Sequence, residues 1–169
     1  MRTSLIAFLF ALTGALAAPA VSAAPQPKQA SATDVYKIAV DHSVTLNDAA
    51  ESMRLRANAL NLKLVAELPL SKQVEVMTNQ EQRTITIFQF CDALTAKQLI
   101  DLNLDFSVYM PCRIALIEDA NGQGWLVMMD VNVDAVAKEK RLPEALKTRI
   151  KEVRESLVSI MQAGAKGEL

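Results

Sequence analysis

Hydrophobic residues alternate between strand-like and helix-like spacings in the first half of the chain. Short apolar runs over residues 35–40 and 62–68 have the length and pattern of β-strands. Between them, apolar residues recur at helical spacing and predict an amphipathic helix over 46–61. Thr45 and Asp48 have the spacing of a capping box, in which each side chain satisfies a free backbone N–H. This stretch therefore predicts a strand, a capped helix and a second strand.

The middle of the chain predicts the inner strands of a sheet. Residues 84–90 carry β-branched and aromatic residues on both faces, which is typical of a central strand covered on both sides. Residues 112–118 and 124–129 flank a turn that contains Asn-Gly and predict a hairpin. Residues 73–77 are a weaker candidate for a further strand.

Two further helices are predicted in the second half of the chain. Asp92 is suited to cap a helix over 93–103, and a helix of about 20 residues follows Pro143. In this last helix, apolar residues recur at spacings of 4, 3, 4 and 3. Such a stripe is typical of a helix that packs on the sheet of its own chain, which is the simpler interpretation. It is also typical of a helix that packs against a second copy in a dimer. The stripe consists of Leu146, Ile150, Val153, Leu157 and Ile160.

The order of these elements predicts the fold class. We expect a single compact α+β domain, with a mixed or antiparallel sheet covered by helices and an added C-terminal helix. We assign the core domain to residues 35–135 and a C-terminal helical extension to 136–163. Residues 24–34 and 164–169 are poor in large apolar side chains, and we expect them to form a flexible arm and a disordered tail.

The first 23 residues have the features of a secretory signal peptide. Arg2 precedes an apolar stretch over residues 5–16, and residues 21–23 (Val-Ser-Ala) have the small side chains that a signal peptidase recognises. The apolar stretch is shorter than the ~20 residues of a membrane-spanning helix. We therefore expect cleavage after Ala23, a periplasmic or secreted protein, and no stable membrane insertion.

Charge and motif content argue against several functions. Eighteen basic and 19 acidic residues are interspersed, so no basic surface for nucleic acid is expected. The five glycines form no phosphate-binding loop, and no serine-hydrolase or zinc-protease motif occurs. These absences favour a binding or accessory protein over an enzyme. Its expected partner is a small ligand or another periplasmic protein.

The two cysteines, Cys91 and Cys112, each lie at the end of a predicted strand. Cysteines in an oxidising compartment are usually paired. If the two strands are neighbours, a disulfide between them would stabilise the fold by roughly 3 kcal/mol. A structural disulfide is therefore our first interpretation.

Two other interpretations of the cysteines stay open. Cys91 precedes a predicted helix N-terminus, which favours a thiolate, so the pair fits a redox or sulfur-transfer site. Alternatively, both thiolates together with His42 or Met110 could bind copper, zinc or haem iron. The first interpretation requires no cofactor, and the single histidine makes the metal site the least favoured of the three.

The surroundings of the cysteines resemble a known family. Phe90-Cys91-Asp92, a helix, and then residues 110–119 (beginning Met-Pro-Cys-Arg) are similar to the domain-of-unknown-function 302 family. The resemblance covers roughly residues 35–135. It implies a compact α+β fold, often dimeric, with the two cysteine positions facing one another, and it implies no particular activity. Asp92-Ala93 departs from the Asn-Pro that is usual there.

The resemblance and the cysteines together define a candidate site. We expect the binding residues around the pair to be Asp92, Met110, Pro111 and Arg113. An apolar groove near residues 106–111 is a further candidate for binding. The expected homodimer would form through the C-terminal helix or the sheet.

Overall fold

The computed structural model describes residues 33–168, which form one five-stranded antiparallel sheet in the order β1-β5-β4-β3-β2, together with helices. This confirms the predicted α+β class, including its C-terminal helix. The predicted signal peptide and most of the predicted arm lie outside the described residues. The elements are β1 (Thr33–Ala39), α1 (Leu46–Ala59), β2 (Lys63–Pro69), α2 (Leu70–Thr78), β3 (Ile85–Cys91), α3 (Ala93–Leu102), a 3-10 helix (Leu104–Tyr109), β4 (Cys112–Glu118), β5 (Gly124–Val131), α4 (Val133–Lys140) and α5 (Glu144–Lys166).

The two faces of the sheet are unequally covered. The covered face packs against α1 and α5, and its central side chains, among them Phe88, Ile114 and Leu126, are fully buried. On the opposite, open face, Ile87, Ala115 and Val127 form one cross-strand row and are only half-buried. The expectation that the strand over residues 84–90 is covered on both sides is therefore wrong, because α1 and α5 both pack on the covered face.

The apolar stripe of α5 packs within the chain, which is the simpler of the two interpretations. Its first part, Leu146 and Ile150, contacts a small apolar cluster with α3 and α4. Its later part, which includes Leu157 and Ile160, belongs to the main core under the sheet. No helix within residues 33–168 combines the length and the hydrophobicity that a membrane span requires.

Helices α1 and α5 approach each other closely because small residues lie between them. A Cβ atom added to Gly164 would lie 2.6 Å from Met53 Cγ and 3.1 Å from the backbone oxygen of Ala49. Ala163 and Ala165 on either side are 1% and 2% exposed. The predicted disordered tail over 164–169 is therefore corrected: its first three residues belong to α5, which ends at Lys166.

Residues 73–77 lie in α2, so the weaker strand prediction is wrong. Strand β3 is already paired on both sides, by β2 and β4, and offers no edge to a further strand. Instead the buried Ser71 fastens α2 to β3, because its hydroxyl accepts a hydrogen bond from the Ile85 N–H at 3.2 Å. Val76 and Met77, which suggested a strand, are 87% and 85% exposed.

Helix α4 was not predicted, and the domain boundary that we assigned at residue 135 falls inside it. Asn132 caps this helix by accepting a hydrogen bond from the Ala135 N–H at 3.0 Å. An asparagine before a short apolar stretch is a typical N-cap signal, and it could have identified the helix.

Replacing Gly164 with alanine should destabilise the protein by about 1–3 kcal/mol, because the new methyl group overlaps Met53 and forces the two helices apart. Urea denaturation followed by circular dichroism measures the change. The matched control is Gln162→Ala on the exposed side of the same helix, which should change stability little. A Gly164→Ala protein as stable as the wild type would contradict the close approach.

Candidate functional site

A cavity of about 630 Å³ lies at the end of the sheet where β3 and β5 end and where β1 and β4 begin. Its walls come from that end of the sheet, from α3, the 3-10 helix, α4 and the first half of α5. Most of the lining side chains are aliphatic, aromatic or sulfur-containing. We call this space the cysteine-end cavity, because both cysteines line it.

Two walls of the cavity follow from helical periodicity. Helix α5 contributes Ile150, Val153 and Leu157, which lie three and four residues apart and so share one face of the helix. The 3-10 helix contributes Phe106 and Tyr109, which are three residues apart and likewise project together. The predicted stripe of α5 thus continues from the core into the cavity wall.

Asp92 holds the α3 wall against α5. Its carboxylate caps α3 by accepting hydrogen bonds from the Thr95 N–H at 3.3 Å and the Thr95 hydroxyl at 2.8 Å. It also accepts hydrogen bonds from Arg149 Nη2 at 2.7 Å and Nε at 3.1 Å. Burial by itself would raise the pKa of Asp92, but these hydrogen bonds outweigh burial and lower the pKa. Asp92 is therefore ionised and committed to the protein's own groups.

The cysteines do not form the expected disulfide. Both thiols are free and lie beyond disulfide distance. In the pairing of β3 with β4, Cys112 lies opposite Phe90, and Cys91 is the next residue after Phe90. Because successive residues of a strand project to opposite faces, the two side chains diverge. The structural disulfide, our first interpretation, is thus corrected by the register of the strands.

The surroundings of both thiols disfavour the thiolate form. Burial raises the pKa of Cys112 to about 11, with a smaller effect from the neighbouring Cys91 and a partial offset from Arg113. Burial, followed by the charge of Asp92, raises the pKa of Cys91. At Cys91, burial and Asp92 thus outweigh the helix N-terminus, which by itself favours a thiolate, and both cysteines are uncharged at neutral pH.

The other residues that we predicted around the cysteines also line the cavity. Met110, Pro111 and Arg113 border it together with Asp92 and both cysteines, and the predicted groove over 106–111 also contributes Phe106 and Tyr109. His42 lies in the turn after β1, at the other end of the sheet, and cannot join the cysteines as a metal ligand. Among residues 33–168, no three His, Cys, Asp or Glu side chains form a group that could hold a metal ion.

Sequence reasoning missed one charged pair at the cavity. Arg154 of α5 donates hydrogen bonds through Nε and Nη2 to both carboxylate oxygens of Asp130, at 2.6 and 2.8 Å. Arg154 lines the cavity between Val153 and Leu157. The signal in the sequence was the position of Arg154 directly after Val153, at the edge of the apolar stripe of α5, because a cation beside a buried helical face usually has a carboxylate partner.

Comparison with known proteins gives a family and a fold. The family model described as "Domain of unknown function DUF302" matches residues 36–164, a region that includes α5. A search of curated proteins finds no match. Among solved structures, the uncharacterized conserved protein DUF302 from Bacillus stearothermophilus is similar with a TM-score of 0.61 and 15% sequence identity, over 76% of this chain and 96% of that chain. At this identity the likeness concerns the fold.

The raised pKa values predict slow alkylation of both thiols. Iodoacetamide reacts only with the thiolate. The rate of modification of each cysteine should therefore rise about tenfold per pH unit and should reach no plateau below about pH 9. Cys112, with its pKa of about 11, should react more slowly than Cys91. Mass spectrometry of peptides measures both rates, with Cys91→Ala and Cys112→Ala as controls. A rate of alkylation that reaches its plateau near pH 7 would contradict the raised pKa values. A disulfide-linked pair of the two cysteine peptides, two hydrogens lighter than the reduced peptides, would contradict the free thiols.

The lowered pKa of Asp92 predicts a pH-dependent contribution to stability. Replacing Asp92 with alanine removes the cap of α3 and should cost about 1–2 kcal/mol at pH 7. Because the folded-state pKa is below the unfolded value, this contribution is complete above about pH 4 and is lost as the pH falls through the folded pKa. Urea denaturation from pH 7 to pH 3 should show the two proteins converging. Asp101→Ala, at an exposed site of the same helix, is the control, and a constant difference down to pH 3 would refute the assignment.

Proposed function

The chain belongs to the DUF302 family, and we propose that it is an exported binding protein that holds an apolar small molecule in the cysteine-end cavity. The volume of the cavity carries the proposal. At about 630 Å³ it falls within the range of roughly 300–1,000 Å³ that is typical of small-molecule sites. Its predominantly apolar lining favours a ligand of the same character.

The polar groups in the wall support an apolar ligand, because most are already paired. Arg154 is bound to both oxygens of Asp130, and Asp92 is bound to Thr95 and Arg149. Paired charges offer few hydrogen bonds to a ligand and cost little when a ligand displaces water from their surroundings. Apolar contact, worth about 25 cal/mol for each Å² removed from water, is then the main source of affinity.

The cysteines act in this proposal as part of the apolar wall. An uncharged thiol behaves as a small hydrophobic group, and burial keeps both thiols uncharged. The redox or sulfur-transfer alternative requires a thiolate near neutral pH and is less well supported. A site of that kind also needs an attacking sulfur that reaches its partner, whereas Cys91 and Cys112 diverge.

The proposed location rests on the signal-like residues 1–23. In an oxidising compartment two nearby thiols would ordinarily pair. Here the projection of Cys91 and Cys112 to opposite faces supports their remaining reduced, because a bond would require the strands to move. Their retention as free thiols is therefore compatible with export.

Filling the cavity should abolish binding of an apolar probe. The wild type should enhance the fluorescence of N-phenyl-1-naphthylamine, whose quantum yield rises in apolar surroundings. Ala96 lines the cavity from α3, and Ala96→Phe should weaken the probe's affinity at least about tenfold, the equivalent of 1.4 kcal/mol of lost contact. Fluorescence titration measures the dissociation constant.

The matched control makes the same substitution in the same helix. Ala93 is exposed and does not line the cavity, so Ala93→Phe should bind the probe as the wild type does. Near-ultraviolet circular dichroism should show that both variants keep their tertiary packing. Equal loss of binding in both variants, or undiminished binding in Ala96→Phe, would refute the cavity as the binding site.

A further inference from the structure

The two faces of the sheet differ in charge as well as in how far helices cover them. The strand register assigns Asp34, Glu67, Glu118 and Asp130 to the covered face. These four are the only carboxylates in the five strands within residues 33–168. The open face therefore carries no strand carboxylate. Its charged residues are all basic, namely Lys37, Lys63 and Arg113.

Arg113 is the open-face cation that borders the cysteine-end cavity. It lies opposite Gln89 on β3, so its cross-strand partner is uncharged. Within residues 33–168, no carboxylate lies within salt-bridge distance of its guanidinium, and its side chain is exposed. Lys37, by contrast, packs over the Trp125 ring, with Nζ 3.6 Å from the ring centroid.

Two of the three carboxylates at this end of the sheet are bound by arginines of α5. Asp92 is bound by Thr95 and Arg149, and Asp130 is bound by Arg154. Asp34 also lines the cavity, but it lies on the covered face, the opposite face from Arg113, and accepts a hydrogen bond from the Val35 N–H. The cavity thus combines an apolar interior with one cation, Arg113, on its open-face side that has no carboxylate partner among residues 33–168, and with the Asp34 carboxylate on its covered-face side.

We propose that the ligand is an amphipathic anion, an acyl-chain carboxylate whose chain occupies the cysteine-end cavity and whose head group pairs with Arg113. This inference rests on the proposed binding function and specifies its ligand. A guanidinium presents two parallel N–H groups that match the two oxygens of a carboxylate, and such charge-assisted bonds are roughly twice as strong as neutral ones. A cationic amphiphile would be repelled, and a neutral one would leave Arg113 unpaired.

The same charges disfavour a second copy of this chain on the open face. Two copies that met face to face would bring basic side chains together without any strand carboxylate between them, and like charges across an interface are costly. An anionic ligand has the complementary charge. The open face is therefore better suited to an anion than to itself.

The test compares ligands that differ only in the head group. Dodecanoate, dodecanol and dodecyltrimethylammonium would each displace N-phenyl-1-naphthylamine from the wild type at pH 8, below their micellar concentrations. We expect dodecanoate to bind at least about tenfold more tightly than dodecanol, since hydrogen bonds to a charged group contribute more than neutral ones. The trimethylammonium compound should bind more weakly than either.

Variants assign the preference to Arg113. Arg113→Gln should reduce the ratio of dodecanoate to dodecanol affinity to about one, whereas Arg113→Lys should restore part of it because the charge remains. Arg83→Gln removes an exposed arginine outside the cavity and is the matched control, with the ratio of the wild type. Thermal denaturation of each variant checks that it is folded.

Each failure has a distinct meaning. If the wild type binds dodecanoate and dodecanol equally, and Ala96→Phe abolishes both, the anionic head group is refuted while the apolar cavity stands. The same holds if Arg113→Gln and Arg83→Gln lower the ratio equally, because the effect would then be one of net charge. If neither compound displaces the probe, the proposed binding function fails together with this inference.

Discussion

The close approach of α1 and α5 at Gly164 determines where the rest of α5 can lie. Gly164 faces Met53 without room for a methyl group, so the last part of α5 is fixed against α1 and the covered face of the sheet. Helix α5 has 23 residues and is about 35 Å long, whereas the seven residues of β4 span about 24 Å. The first part of α5 therefore extends past the cysteine end of the sheet.

The extension of α5 requires a second set of partners. Its apolar stripe continues beyond the sheet, and exposing that stripe to water would be unfavourable. Helices α3 and α4 and the 3-10 helix cover it, with Leu99, Phe106 and Val136 forming a small cluster of their own. This cluster and the main core meet different parts of one helix, and the cysteine-end cavity adjoins both. Arg149 and Arg154, from the same helix, fasten the walls to Asp92 and Asp130.

Local signals in the sequence predicted local structure, and they also located the site. The caps at Thr45 and Asp92 formed as expected because they depend on hydrogen bonds within one turn. The direction of the two thiols could not be predicted in this way. The segment that joins β3 to β4 includes α3 and the 3-10 helix, so no tight turn sets the register, and a shift of one residue reverses every side chain. The number of helices on each face is equally a property of the whole fold, which is why the open face was not anticipated.

The distribution of charge over the sheet follows from the packing of α1 and α5 on only one of its faces. On the covered face, helices supply arginines to strand carboxylates: Arg54 of α1 binds Glu67, and Arg154 of α5 binds Asp130. These pairs neutralise Glu67 and Asp130, the two strand carboxylates that face the helices. On the open face, Lys37 packs over Trp125, whereas no carboxylate within residues 33–168 pairs with Arg113, so the charge of Arg113 acts on the solvent. At physiological salt such a field reaches about 8 Å, far enough to favour the entry of an anion into the adjoining cavity. One asymmetry of packing thus accounts both for the paired charges that hold the helices and for the unpaired one beside the cavity.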